Sequence, residues 1–119
     1  MSDTIRKYYL WLIKNFANVE LTGCHDMAVL LAVYDSSKLL KDNLEEASAQ
    51  CGKSSVAIEK SCRFYIKKIM EDYTLEDISK FFDYRFKNSI KDSLNLAEFI
   101  PIVKIYLEQL DDNEESNSK

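Results

Sequence analysis

LEEASAQCGKSSVAIEKSCRFYIKKI, residues Leu44 to Ile69, reads as a short helix, a tight turn and a longer basic helix. Leu44 and Ala47 set an apolar stripe on the first helix, and the small residues Ala47, Ser48 and Ala49 let a second helix approach closely. Gly52 tolerates the positive φ at which the first helix must stop. Ser54 or Ser55 caps the next helix by accepting a backbone N–H. In that helix Ile58, Cys62, Tyr65, Ile66 and Ile69 recur at helical spacing on one face. Lys60, Arg63 and Lys67 fall on another face. The layout is that of a helix-turn-helix, whose second helix lies in the DNA major groove. The alternative reading of the same pattern is an ordinary helix pair with a solvated basic face.

Around this stretch the chain reads as one all-α domain. At 119 residues it suits a single core. Two glycines and one proline leave little material for hairpin turns. Ser2 or Asp3 caps a first helix that reaches about Phe16, with Ile5, Tyr9, Leu12 and Phe16 inward, Tyr8 and Ile13 beside them and Trp11 at the edge. Ala17 to Thr22 reads as a connector. A second helix follows Gly23, with Met27, Leu30, Leu31 and Tyr34 inward, and breaks at Asp35-Ser36-Ser37. The basic helix is expected to end near Met70. Thr74 caps a further helix, with Asp77 completing a capping box and Leu75, Ile78, Phe81 and Phe82 inward. Asp83 to Ser93 is a polar loop whose Arg85, Lys87 and Lys91 are either flanking phosphate contacts or solvated charges. Asn95 with Glu98 opens a last helix, and Pro101 inside it predicts a kink or a later start. The domain runs from residue 1 to 110, and the acidic segment Asp111 to Lys119 reads as a disordered tail.

The net charge of −4 does not suggest a nucleic-acid binder, but its distribution does. The tail holds four acids and one lysine, so the body is close to neutral. From Lys53 to Lys68 five basic residues face one acid. Such a chain can bind DNA through a local patch, weakly and with strong salt dependence. Three cysteines without paired spacing read as reduced, mostly buried thiols. With no signal peptide and no apolar run long enough to span a bilayer, the expected location is cytoplasmic, away from membranes. Cys24, His25 and Asp26 are too sparse for a metal site, and no cofactor is expected. A single histidine, no glycine-rich phosphate loop and no nucleophile motif argue against an enzyme.

Three segments carry a resemblance to a known family. Ile58-Glu59-Lys60-Ser61-Cys62-Arg63-Phe64-Tyr65-Ile66 resembles the recognition helix of the sporulation response regulator, stage zero protein A, where the pattern is Val-Glu-Arg-Ala-Ile-Arg-His-Ala-Ile. Leu75-Glu76-Asp77-Ile78-Ser79-Lys80-Phe81-Phe82-Asp83-Tyr84 is similar to that family's Ile-Asp-Ser-Ile-Ser-Ser-Leu-Phe-Gly-Tyr. Ala97-Glu98-Phe99-Ile100-Pro101-Ile102-Val103 is similar to its Ser-Glu-Phe-Ile-Ala-Met-Val. The likeness is to the C-terminal effector domain, from about Leu21 to Leu110. It implies a compact bundle of about six helices, double-stranded DNA as partner, and binding as a pair on tandem sites. A homodimer, or a heteromer with a related regulator, follows from that pairing.

The resemblance nominates Lys53, Ser54, Ser55, Glu59, Lys60, Arg63 and Lys67 for DNA. It nominates Val103, Leu107 and Leu110 on the last helix for a partner. Arg63 matches an arginine that reads DNA in the family. Glu59 either accepts from cytosine N4 or holds Arg63. Departures are also plain. Lys60 stands for an arginine and lacks its planar fork. Val56 stands for a serine, Ala57 for an arginine and Phe64 for a histidine. Valine can touch a thymine methyl, but hydrogen-bonding capacity is lost, so a changed or relaxed target is expected. The stretch from Gly23 to Cys51 is shorter than its counterpart. The chain opens at or just before the effector domain, so a form without the phosphorylated receiver domain is expected. That leaves two functions open. One is a sequence-specific transcription regulator. The other is a protein-interaction module that pairs with a full-length regulator and antagonises or redirects it.

Overall fold

The computed structural model describes residues 2–16, 22–87 and 95–117, with residues 22 and 111–117 described by their backbone alone. These residues form six α-helices: α1 Asp3–Asn15, α2 Thr22–Val33, α3 Leu40–Cys51, α4 Ser55–Asp72, α5 Leu75–Phe82 and α6 Leu96–Asn117. Among the described residues there is no strand, and no helix is long and apolar enough to cross a membrane.

Local chemistry accounts for most helix ends. The Ser2 hydroxyl accepts the Ile5 N–H, and the Ser54 hydroxyl accepts the Ala57 N–H, both at 3.1 Å. Thr74 and Asp77 form a full reciprocal capping box, each side chain accepting the other's backbone N–H at 3.0 Å. That bond holds the Asp77 carboxyl below its ordinary value. Gly52 ends α3 in the left-handed region at φ +72°, and its N–H returns to the Ser48 carbonyl. Asp83 ends α5 the same way at φ +50°, a conformation that aspartate adopts more readily than most residues.

The core forms around α2. Cys24, Met27, Ala28, Val29, Leu30 and Leu31 are all buried, so the helix needs neighbours around most of its circumference. It packs on α1, α3 and α4, and more lightly on α6. From α1 come Ile5, Tyr8, Leu12 and Phe16. Tyr8 takes the inward place expected of Tyr9, which lies half-buried and edge-on to His25, with ring centroids 6.4 Å apart. From α3 come Leu44 and Ala47, and from α4 Ile58, Cys62, Tyr65, Ile66 and Ile69. Gly23 belongs inside α2 rather than before it, because α2 and α4 approach closely there. A Cβ at Gly23 would lie 2.9 Å from the Ser61 carbonyl oxygen and 3.3 Å from Tyr65 Cβ.

Aromatic rings join α5 and α6 to this core. The half-buried Trp11 lies 5.7 Å from Tyr106, 5.9 Å from Phe16, 6.1 Å from Phe81 and 6.3 Å from Phe82, centroid to centroid. Phe82 stands edge-on to Phe99 at 6.1 Å and to Tyr106 at 5.2 Å. Tilted and edge-on pairs of this kind add to the area they bury. Lys104 supplies a polar tie. Its Nζ donates to the Leu31 carbonyl at 2.7 Å and the Ala32 carbonyl at 3.3 Å, and lies 5.2 Å above the Tyr8 ring. A cation on the last carbonyls of α2 satisfies acceptors the helix leaves unpaired and complements its dipole.

α6 begins at Leu96, one residue later than Asn95, whose Oδ1 accepts the Ala97 N–H, and it continues through Pro101. Phe99, Ile100 and Val103, all fully buried, hold the helix across the one backbone bond that proline cannot make. Glu98 does not cap the helix. It accepts the Lys87 N–H at 2.9 Å and the Tyr84 hydroxyl at 3.4 Å, fastening the end of the α5 loop. Finally, the backbone of α6 is helical to Asn117, where a disordered tail is expected from residue 111. No glycine or proline interrupts that stretch, and extending a helix is far easier than starting one. The connector at residues 17–21 and the loop around Lys91 lie outside the described residues.

The two glycines should fail for different reasons. Gly23→Ala should lose about 1–3 kcal/mol through overpacking against α4. Gly52→Ala meets open space and should lose about 1–2 kcal/mol through its positive φ alone. In urea denaturation Gly52→Asn should recover part of that loss, whereas Gly23→Asn should be worse than Gly23→Ala.

Candidate nucleic-acid interface

Both ends of α3 are fixed by side chains that sequence reasoning did not single out for that task. At its start, the buried Asn43 accepts the Asp35 N–H at 2.8 Å and donates to the Asp35 and Leu39 carbonyls, each at 3.1 Å. At its end, the Ser48 hydroxyl donates to the Lys53 carbonyl. Asp26 then reaches from α2 to the turn, with both carboxylate oxygens 3.2 Å from Lys53 Nζ. Asp26 is 1% exposed. A buried carboxylate needs a partner, and Lys53 is that partner. The available signal was a lone charge within an otherwise apolar helix.

Three residues, Gly52, Lys53 and Ser54, separate α3 from α4. Beyond them, α4 has two opposed faces. Its inward face carries the five buried residues already named. Its outward face carries Val56, Lys60, Arg63 and Lys67, all exposed, at spacings of four, three and four residues. At 1.5 Å per residue that stripe is about 16 Å long. Beside Val56, a shallow groove is lined by Leu40, Lys41 and Leu44 of α3 and by Ser55 and Glu59 of α4.

The nominated residues are brought along one edge of the molecule, but several are already engaged. Lys53 is held by Asp26, and the Ser54 oxygen is used in the cap. Ser55 is half-buried in the first turn of α4. Arg63 Nη2 lies 3.0 Å from Glu59 Oε1, an exposed pair of the kind that contributes little and exchanges readily. Lys68 lies 3.5 Å from Glu71 and 5.3 Å above the Phe64 ring. Lys60 and Lys67 have no ion-pair partner among the described residues. Arg85 and Lys87 are exposed after α5 and border a second groove with Tyr73, Leu75 and Phe86.

The expected partner surface on α6 requires correction. Val103 and Leu107 are buried, and the half-buried Leu110 packs against the same core. The resemblance implies a partner contact there, but α2, α4 and α5 pack against that face of α6. Ile105 is the large apolar residue of α6 that does face outward.

Among the described residues no group of three histidine, cysteine or acidic side chains is placed to hold a metal ion. His25 Nδ1 is 3.9 Å from Asp26. Cys24 is buried against Tyr65, whose hydroxyl is also buried and has no hydrogen-bond partner of ordinary geometry among the described residues. Burial pushes the Cys24 and Cys62 thiols above their ordinary value of 9.0, and the Asp26 charge raises Cys62 further. Thiolate is therefore scarce at neutral pH, and both sites should resist a thiol reagent until the protein unfolds. In a timed labelling experiment, Cys51 should react first. Because folding raises these values, their contribution to stability should be complete below about pH 9 and decline above it.

No family model, curated protein or solved structure matches the chain.

Proposed function

We propose that this chain is a sequence-specific DNA-binding regulator of transcription. The outward stripe of α4 carries the reading, with Lys60, Arg63 and Lys67 exposed opposite the core-facing side. The α3–turn–α4 unit would serve as a helix-turn-helix, with α4 in the major groove. Arg63 would grip guanine O6 and N7 after exchanging its exposed partner Glu59. Lys60 would reach a base edge or the nearest phosphate, and Lys67 a phosphate. Lys53 would act differently from its sequence assignment, holding the turn through Asp26 rather than meeting DNA. The resemblance to the sporulation regulator's effector domain supports the same reading and adds pairing on tandem sites. The chain is acidic overall, so affinity would come from this local patch and fall steeply with salt.

A second reading has its own support. Lys53, Arg63 and Lys68 each face a carboxylate within the chain, which leaves few unengaged cations on this edge. Exposed Leu10 and Ile105 offer apolar contacts elsewhere. Both features suit a module that pairs with a related regulator and antagonises or redirects it.

The readings separate on purified protein selected against a random duplex library at low salt. For a regulator, an enriched motif should emerge, and Arg63→Ala should weaken that site by about 1–3 kcal/mol. Lys67→Ala should weaken every sequence alike and flatten the salt dependence. Absence of both enrichment and salt-dependent binding would sink the DNA reading and favour the partner module.

A further inference from the structure

Resting on the DNA-binding reading, we propose that Val56 is a specificity-determining residue that reads the 5-methyl group of a thymine in the major groove. Val56 is 73% exposed, as high a value as any large apolar side chain in the described structure. It is the second residue of α4 and the first member of the outward stripe. The N-terminal residues of a recognition helix are the ones that meet base edges. A valine has no donor or acceptor to offer there. What it can recognise is an apolar group on the groove floor, and thymine alone among the four bases carries one.

The position is also well prepared. A valine side chain has essentially one free torsion, and in a helix that torsion is nearly fixed. Its backbone is held by the Ser54 cap, whose bond to the Ala57 N–H spans it, and by the Asp26–Lys53 tie at the turn. Little freedom would therefore be lost on contact. Leu40 and Leu44 beside it make that end of the groove apolar, while Lys60 and Arg63 continue the stripe with donors. The spacing gives the site an internal geometry. Seven residues separate Val56 from Arg63, about 10 Å along the helix, so the thymine should lie about two to three base pairs from the guanine met by Arg63.

The test begins with duplexes selected by the full chain. Each thymine of the selected site is then replaced singly by uracil, which removes the methyl group and nothing else. One replacement should weaken wild-type binding about four-fold, the value for one methyl group taken out of water. Val56→Ala should bind the thymine and uracil duplexes equally. Because the residue is exposed, its urea midpoint should match wild type. If no uracil replacement affects the wild type, or if the effect persists in Val56→Ala, while Arg63→Ala still weakens the selected site, the inference is overturned and DNA binding stands. If no motif is selected and no salt-dependent binding is found, DNA binding falls and the inference with it. If Val56→Ala changes only the capture of another protein, the residue is a partner contact and the inference is likewise overturned.

Discussion

A helix that is apolar over most of its surface is stable in water only when other helices cover it, and α2 imposes that condition on the rest of the chain. Its burial explains why α1, α3 and α4 lie where they do. It also explains the position of the one charge it carries. Asp26 could not remain inside the protein alone, and the nearest solution lies across the turn at Lys53. The tie that keeps α2 tolerable in the core thereby sets the start of α4. The close crossing at Gly23 fixes the second point of that contact. Core packing and the presentation of the outward stripe are thus one arrangement.

On the outer side of α4 the electrostatics are more finely divided than the count of lysines and arginines implies. Lys53 belongs to the core's accounting, Arg63 is loosely held by Glu59, and Lys68 leans over Phe64 toward Glu71. Lys60 and Lys67 are the cations of the patch with no such engagement among the described residues. A surface built this way relies on a few well-placed contacts rather than on a strong general field. Apolar recognition then has more weight than it would on a densely basic helix.

Much of the helical frame is legible in the sequence. Ser2, Gly52, Ser54 and the Thr74–Asp77 pair announce helix ends through short-range chemistry, and the five inward residues of α4 announce its buried face through their period. The remainder depends on distance in three dimensions. Asn43 looks like any polar helix residue until the loop at Asp35 folds back onto it. Lys104 looks like a solvated lysine until α2 ends beside it. Val103 and Leu107 show a periodic apolar face, and periodicity alone cannot say whether the neighbour is the same chain or another. The exposed stripe is legible as a pattern, but the engagement of Lys53 by a residue 27 positions away is not.

The Lys104 tie has a consequence for synthesis on the ribosome. It joins residues 73 positions apart, between Lys104 and Leu31. At about 5–20 residues per second, several seconds pass between the emergence of α2 and the arrival of its cap. During that interval the most apolar helix of the protein has bare carbonyls at its end and no α6 beside it. α1, α3 and α4 supply most of its shelter as they emerge, and α6 completes it only after Lys104 has been made.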